Sequence, residues 1–305
     1  MKPSPDTAPN QLLGTGDHSR DSAGMTYVYP VVSRRAGGVS VGINLNPNNA
    51  CNWRCIYCQV PDLKRGNAPP IDLAQLETEL RSLLDDLVHG DFMARRVPFE
   101  TRRIEDIAFS GNGEPTSARE FSAAVELARR LRDEFSLDAK LRLITNGSLI
   151  DRPAVQEGIA HLGAAAGEVW FKLDAGTRQG IARINGVDLD PAGIVRRLRK
   201  CAELCSTWVQ TCCFSLDGRT PGDEEIAAWL DLLKQVQATE EAASKTTKTT
   251  KAPSGTGKLA GVHLYGLARP SMQSEASRLE RLPADWLETL ALQVRQLGLR
   301  VRISP

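Results

Sequence analysis

Strand-like and helix-like segments alternate along most of this 305-residue chain, and this alternation restricts the fold more than any other feature. The predicted strands are Val39–Asn46, Ile104–Ser110, Leu141–Thr145, Val169–Leu173, Trp208–Phe214 and Gly261–Leu267. The helices that follow them are predicted over Asp72–His89, Ser117–Phe135, Pro153–Leu162, Pro191–Leu204, Asp223–Val236 and Ala284–Leu297. Consecutive strand–helix units favour a parallel sheet with right-handed crossovers and the helices outside.

The number of units narrows the architecture further. A complete (β/α)8 barrel has about eight such units, so six predict an α/β fold of the partial, open (β/α)6 TIM-like kind. A doubly wound sheet is the alternative, because periodicity does not separate the two. Both folds bind ligands beyond the carboxyl ends of the strands. Capping boxes are predicted at Asp72 with Gln75 and at Ser117 with Glu120, and Pro191 suits a first helical turn.

Two stretches of biased amino-acid composition lie outside the alternation of strands and helices, one before it and one within it. Residues 1–24 are rich in Pro, Asp, Ser and Gly and lack the apolar segment of a secretory signal, so a disordered tail is predicted there. A barrel domain over 25–305 follows, with a low-complexity loop at 239–258 that holds no large apolar side chain. The sequence has no run of eighteen apolar residues, so no transmembrane helix is predicted, and we expect a cytoplasmic protein.

The overall charge gives no support to a nucleic-acid coat or a membrane-surface protein. Lys and Arg number 38 and Asp and Glu 37, which leaves a net charge of +1. One local basic group lies on a predicted helix, where a solvated face is the expected role. This group comprises Arg196, Arg197, Arg199 and Lys200, and it is the only local indication of an anionic partner.

Three cysteines directly follow the first predicted strand, in the segment P-N-N-A-C-N-W-R-C-I-Y-C-Q-V-P. Cys51, Cys55 and Cys58 have spacings that let three thiolates converge on one soft metal centre. Structural zinc needs four protein ligands, and no fourth Cys or His lies nearby. A four-iron cluster with three cysteines leaves one iron open to a substrate or cofactor. A zinc-binding interaction protein and a non-catalytic iron–sulfur electron-transfer module remain the alternatives.

Four further cysteines lie late in the chain. Cys201 and Cys205 share one face of a predicted helix, whereas Cys212 and Cys213 point to opposite faces of a predicted strand. No loop gathers them, so we expect small buried residues and no second cluster.

The triplet C-x-x-x-C-x-x-C resembles the signature of the radical S-adenosylmethionine (SAM) enzymes. The upstream stretch S-R-R-A-G-G-V-S-V-G-I-N-L-N-P is similar to a subgroup of iron–sulfur oxidoreductases related to the tRNA wyosine-base synthases. The resemblance implies a partial (β/α)6 barrel, a 4Fe–4S cluster, SAM as cofactor and an external electron donor of the flavodoxin or ferredoxin type. It also implies reductive cleavage of SAM to a 5′-deoxyadenosyl radical that attacks a substrate.

The substrate is not readable from the sequence. A tRNA base is suggested only by the subgroup, and the absence of a basic excess weakens that idea. A protein or a small metabolite stays open.

The segment F-S-G-N-G-E-P-T follows the second predicted strand and resembles the Gly-Gly-Glu-Pro motif of the family. The resemblance implies that Gly111, Asn112, Gly113 and Glu114 help bind SAM, with Glu114 accepting from the methionine ammonium. Asn112 is a mild departure from the motif. Tyr57 is the aromatic residue before the last cysteine of the triplet and joins this cofactor set.

Polar residues at the later strand ends complete the predicted site. Asn146 ends the third strand, where an ordinary Asn-Gly turn is the alternative. Lys172 and Asp174 share one face of the fourth strand, either as site residues or as an internal ion pair. Arg269 follows the sixth strand and is favoured over His263, since a lone histidine on a strand is more often structural.

Overall fold

The computed structural model describes residues 12–14, 24–238 and 255–305. Its strands are β1 Val28–Ser33, β2 Gly38–Ile43, β3 Ala50–Cys51, β4 Lys64–Arg65, β5 Ile104–Phe109, β6 Lys140–Thr145, β7 Glu168–Lys172, β8 Ser206–Leu216, β9 Gly261–Gly266, β10 Leu279–Arg281 and β11 Val301–Ser304. Its α-helices are α1 Leu73–Val88, α2 Phe92–Arg96, α3 Phe121–Glu134, α4 Pro153–Ala164, α5 Arg178–Asn185, α6 Pro191–Leu204, α7 Asp223–Gln237 and α8 Ala284–Gln296.

The main sheet follows the chain in the order β1-β2-β5-β6-β7-β8-β9-β11. All neighbouring pairs from β2 to β11 are parallel, and β1 joins the edge as an antiparallel strand. Helices α1, α3, α4, α6 and α7 contact one another in that succession. A doubly wound sheet would reverse its strand order at a switch point, so this single direction of winding establishes the partial barrel and excludes the alternative.

Every predicted strand and helix is present, which confirms the six strand–helix units, and the structure adds edge strands that the sequence pattern did not predict. β11 adds a seventh parallel strand beside β9, and β1 pairs with β2 through Val28↔Ile43 to Ser33↔Gly38. Pro30 lies inside β1 and hides its strand pattern, but an edge strand tolerates a residue without an N–H donor. The predicted pattern also missed helix α5, which bears on the site described below.

Two capping boxes were predicted at helix starts, and the structure confirms the one at Asp72 but not the one at Ser117. Asp72 caps α1 by accepting from the backbone N–H groups of Ala74 and Gln75. Ser117 instead ends a 3-10 turn, and α3 begins at Phe121 without a side-chain cap. The Ser117 hydroxyl is used elsewhere, because it donates to the carbonyl of Glu114 at 2.7 Å.

Only parts of the predicted tail and loop are described. Leu13 lies in the hydrophobic core at 1% exposure, and its backbone N–H donates to the carbonyl of Arg96 at 2.7 Å. At the end of the predicted 239–258 loop, the Gly257 N–H donates to the carbonyl of Ala202 at 3.1 Å. The rest of the tail and residues 239–254 lie outside the described residues. Among the described helices, none has the length and apolarity needed to cross a membrane.

Candidate active site at the carboxyl ends of the strands

The three-cysteine loop follows β2 and is held in place by main-chain hydrogen bonds to the end of α5. The Arg54 N–H donates to the Asn185 carbonyl at 3.1 Å, and the Ile56 N–H donates to the Ile184 carbonyl at 2.9 Å. Thr177 caps the other end of α5 by accepting from the Gly180 N–H. The loop therefore takes its position from a helix far away in the sequence.

Cys51, Cys55 and Cys58 all line one cavity of about 310 Å³ at this end of the sheet. All three thiols are free of disulfide bonds. Asn185 donates from Nδ2 to the Sγ of Cys55 at 3.3 Å, and the Trp53 N–H approaches the Sγ of Cys51 at 3.5 Å. Burial raises the pKa of Cys51 to about 11 and that of Cys55 to about 12. Binding a metal centre therefore requires these thiols to release their protons.

The donor set of this loop fits an iron–sulfur cluster better than a single ion. Across the described ranges, no group of three or more His, Cys, Asp or Glu side chains is arranged to hold a metal ion. A four-iron cluster binds each thiolate through a different iron, so its cysteines need not close around one point. Three thiols on one cavity wall with amide N–H donors beside two of them match that requirement.

Glu114 joins the loop after β5 to the end of β6. Its Oε1 accepts from the Thr116 N–H at 3.2 Å, the Thr116 hydroxyl at 2.6 Å and the Thr145 hydroxyl at 2.6 Å. Its Oε2 accepts from the Asn146 N–H at 2.7 Å. Burial raises the pKa of the Glu114 carboxyl, and these hydrogen bonds act in the opposite direction. Glu114 also lines the cavity, and its contact with a methionine ammonium stays a prediction.

The two glycines of the G-N-G-E-P segment are required by protein packing. A Cβ on Gly113 would lie 2.0 Å from the carbonyl oxygen of Ala50, the residue before Cys51. Gly111 has a φ of +142°, and a Cβ there would lie 2.4 Å from Oδ1 of Asn44. Both glycines let this segment approach the cysteine loop closely.

Asn112 and Asn146 attach their loops to the cysteine loop. Asn112 donates from Nδ2 to Oδ1 of Asn49 at 2.6 Å, and Asn146 donates from Nδ2 to Oδ1 of Asn52 at 2.9 Å. Both residues line the cavity. Asn52 directly follows Cys51, so the Asn146 contact attaches the end of β6 to the residue beside the first cysteine.

Lys172, Tyr57 and Asp174 form a chain of hydrogen bonds beside the cysteines. Lys172 donates from Nζ to the Tyr57 hydroxyl at 2.6 Å, and that hydroxyl donates to Oδ2 of Asp174 at 2.6 Å. The same Oδ2 accepts from Asn185 at 2.8 Å and lies 3.9 Å from Nζ of Lys172. Lys172 and Tyr57 line the cavity, whereas Asp174 has a fully buried side chain behind them.

Arg269 lines the cavity from the segment after β9 and contacts the residue that follows the last cysteine. Its guanidinium donates to the side-chain oxygen of Gln59, and Gln59 donates back to the Arg269 carbonyl at 3.1 Å. His263 lies deeper and is enclosed between the rings of Trp170 and Trp208, with centroid distances of 4.4 and 4.7 Å.

Comparison with known proteins decides the family. The sequence profile of the Radical SAM superfamily matches residues 45–233, which include the cysteine loop and the carboxyl ends of β5 to β8. The chain belongs to the radical SAM superfamily. Membership implies radical chemistry that starts from SAM.

Two of the relatives in sequence carry names that state no activity. A UPF0026 protein of Helicobacter pylori is 30% identical over 147 residues, which cover 48% of this chain and 41% of that protein. A UPF0026 protein of Methanocaldococcus jannaschii is 31% identical over 146 residues, covering 48% and 39% respectively. The matched part of the chain thus spans about two fifths of the length of these relatives.

A solved structure supports the radical SAM fold. A radical SAM methyltransferase from Sphaerobacter thermophilus superposes with a TM-score of 0.54 over 87% of this chain and 66% of that one, at 12% identity. At this level of identity the likeness concerns the fold alone.

The remaining sequence predictions concern residues outside the cysteine loop. Cys201, Cys205 and Cys213 are buried in the hydrophobic core, as expected of small packing residues, whereas Cys212 is buried there and also lines the cavity. The basic residues of α6 form ion pairs at the protein surface, where Arg196 and Arg197 pair with Asp151, and Lys200 pairs with Glu203. Sequence reasoning missed Asn185, because no local pattern marks a residue whose contact with Cys55 spans 130 positions.

Proposed function

We propose that this radical SAM protein holds a 4Fe–4S cluster on Cys51, Cys55 and Cys58 and is an enzyme that acts on its substrate through SAM. The observation that supports the proposal is that all three thiols, with the predicted cofactor residues of the β5 and β6 ends, line one cavity. When bound, such a cluster supplies the electron that cleaves SAM to methionine and a 5′-deoxyadenosyl radical.

The chain's own residues then have distinct tasks. Glu114 and Asn146 fix the loops that form the cavity wall around the methionine part of SAM. Lys172 and Arg269 supply positive charge beside the cysteines for the carboxylate of SAM. Asp174 is a positioning residue, because it holds Tyr57 and Asn185 against the cysteine loop from behind the cavity.

The two alternative functions, electron transfer and structural zinc binding, predict a different arrangement around the cysteines. An electron-transfer module has no need for a cavity beside its cysteines, and a structural zinc site closes around one ion with four ligands. The cavity and the open cysteine arrangement favour a catalytic cluster. An electron donor of the flavodoxin or ferredoxin type and a cytoplasmic location belong to the same proposal.

The test compares the parent protein with two cysteine variants after purification without oxygen. The parent should contain about four iron atoms per chain and release 5′-deoxyadenosine from SAM under a strong reductant. Cys55→Ala should lose the iron and the product. Cys201→Ala removes a buried thiol outside the cavity and should retain both. A colourless parent loaded with zinc, or a cluster-containing parent that never cleaves SAM, would contradict the proposal.

A further inference from the structure

The cavity extends below the cysteines to a second layer of side chains. On β7, Trp170 precedes Lys172 by two residues, so both point to the same side and Trp170 lies roughly 7 Å deeper along the strand. Lys172 reaches Tyr57 of the cysteine loop, whereas Trp170 does not. We call the group around Trp170 the cavity floor, and it consists of Arg35, Trp170, Gln210 and Tyr265, which all line the cavity.

Arg35 is the central residue of the cavity floor. Its guanidinium carbon lies 4.9 Å from the ring centroid of Trp170 and 4.8 Å from that of Tyr265. Its Nη1 donates to Oε1 of Gln210 at 2.8 Å. Two rings and one amide thus hold the guanidinium of Arg35 in place at the cavity that it lines.

The positive charge of Arg35 is not balanced by a carboxylate. Arg34 is exposed, and its guanidinium donates to the main-chain oxygens of Pro305 and Gly266. In the part of the chain that the structure describes, no Asp or Glu forms an ion pair with Arg35. Arg142 is different, because Asp106 and Glu168 pair with it. A partly buried cation without a counter-ion is costly unless a ligand neutralises it.

Neighbouring groups respond to this surplus charge. Burial and the adjacent Arg35 lower the pKa of Arg34. Burial, Arg35 and Arg302 lower the pKa of His263 to about 3, so this histidine is neutral at physiological pH. The floor therefore attracts negative charge from a position below the cysteines.

We propose that the substrate carries an anionic group, a carboxylate or a phosphate, which Arg35 binds in the cavity floor. This inference rests on the proposed function and adds the chemical class of the substrate. Binding the anion below would leave the rest of the substrate between the floor and the cysteine layer, where the radical forms. A planar guanidinium suits both groups because its fork of N–H donors binds two oxygens at once.

The experiment measures anion binding to the anaerobically purified protein by calorimetry, with inorganic phosphate and malonate as separate probes. Saturating SAM is present throughout, so that its own carboxylate occupies the cations beside the cysteines. Phosphate binding that exceeds malonate binding would assign a phosphate, and the reverse order a carboxylate. Iron content and SAM binding are measured on the same samples, so a failure of the proposed function is recognised separately from a failure to bind anions.

Arg35→Gln removes the charge and should weaken binding of the preferred anion about tenfold or more. Arg295→Gln is the matched control, because it removes an exposed arginine from the outer helix α8 and should bind as the parent does. Gln210→Glu keeps Arg35 but places a carboxylate against it, and it should also weaken binding. This second variant keeps the test decisive if Arg35→Gln fails to fold.

A parent that carries iron and binds SAM but binds neither anion would overturn the proposal. Equal anion affinity in the parent and in a folded Arg35→Gln or Gln210→Glu variant would overturn it as well.

Discussion

Asn185 illustrates how one side chain determines the properties of the cysteine site. It donates to the Sγ of Cys55 at 3.3 Å and to Asp174 at 2.8 Å from the same amide nitrogen, while its exposed fraction is only 2%. Hydrogen bonds to cluster sulfur atoms stabilise the reduced, more electron-rich state. The contact therefore links a buried residue of α5 to the electron affinity of the proposed cluster.

We predict that Asn185→Ala lowers the reduction potential of the cluster while the protein retains about four irons per chain. The measurement is a redox titration monitored by electron paramagnetic resonance. Asn67→Ala, an exposed asparagine away from the cysteine sulfurs, should leave the potential unchanged. A reduction potential equal to that of the parent in Asn185→Ala would show that this hydrogen bond does not influence the cluster.

Glu114 supports both structure and cofactor binding at the residue scale. Glu114→Ala leaves the donors of Thr116, Thr145 and Asn146 without their acceptor. We expect a loss of about 1–3 kcal/mol in the free energy of unfolding for an orphaned buried donor, together with weaker SAM binding. Urea denaturation and equilibrium binding of SAM measure the two effects.

Glu157→Ala is the control for this change, since Glu157 is exposed and accepts only from Ser122 at 3.3 Å. Unchanged stability in Glu114→Ala would show that the network does not hold the loops, and unchanged SAM affinity would exclude Glu114 from the cofactor site.

At the scale of elements, α7 positions α5, and α5 positions the cysteine loop. Glu225 of α7 accepts from the backbone N–H groups of Gly176 and Thr177 and from the Thr177 hydroxyl. Thr177 caps α5, whose other end contacts Arg54 and Ile56 of the loop. A residue on the outer helix thus acts on the site through two intervening elements.

Glu225→Ala should lower the free energy of unfolding by about 1–3 kcal/mol, because it leaves three donors without their acceptor. Glu224→Ala, the exposed neighbour on the same helical turn, should change stability by less than roughly 1 kcal/mol. Urea denaturation of both variants is the measurement. Equal losses in the free energy of unfolding for the two variants would show that the Glu225 contacts do not stabilise the fold.

Elements also show where sequence patterns succeed and fail. The apolar spacing of Leu76, Leu80, Leu83 and Leu87 predicted α1 correctly, because burial of one helix face produces a regular period. Helix α5 has only eight residues, and its most informative one is a polar residue held by tertiary contacts. Ser117 met the pattern of a capping box, but its hydroxyl is used by Glu114, so a local rule yielded to a tertiary contact.

At the scale of the whole molecule, the alternation of strands and helices predicted the winding of the barrel but not its edges. β1 and β11 lie at opposite ends of the sheet, where a strand with Pro30 inside it or a short, half-buried strand is tolerated. Those edges nevertheless matter for the site. The turn after β1 brings Arg35 to the cavity, where its guanidinium lies against Trp170 of β7 and Tyr265 of β9.

The residues around the cysteines were more predictable than the cavity floor. Every predicted site residue except Asp174 lines the cavity, because strand ends and short motifs place these residues there. Arg35, Trp170 and Tyr265 come from three separate strands or turns, so their stacking follows from packing and has no sequence signature.

The central claim is that three cysteines hold a four-iron cluster with one iron open to SAM. Electron paramagnetic resonance of the reduced, anaerobic protein before and after addition of SAM tests it most directly. A four-iron signal should be present before SAM is added, and its shape should change when SAM binds at the open iron. A four-iron signal that stays the same at saturating SAM, or no cluster signal at all, would contradict the account.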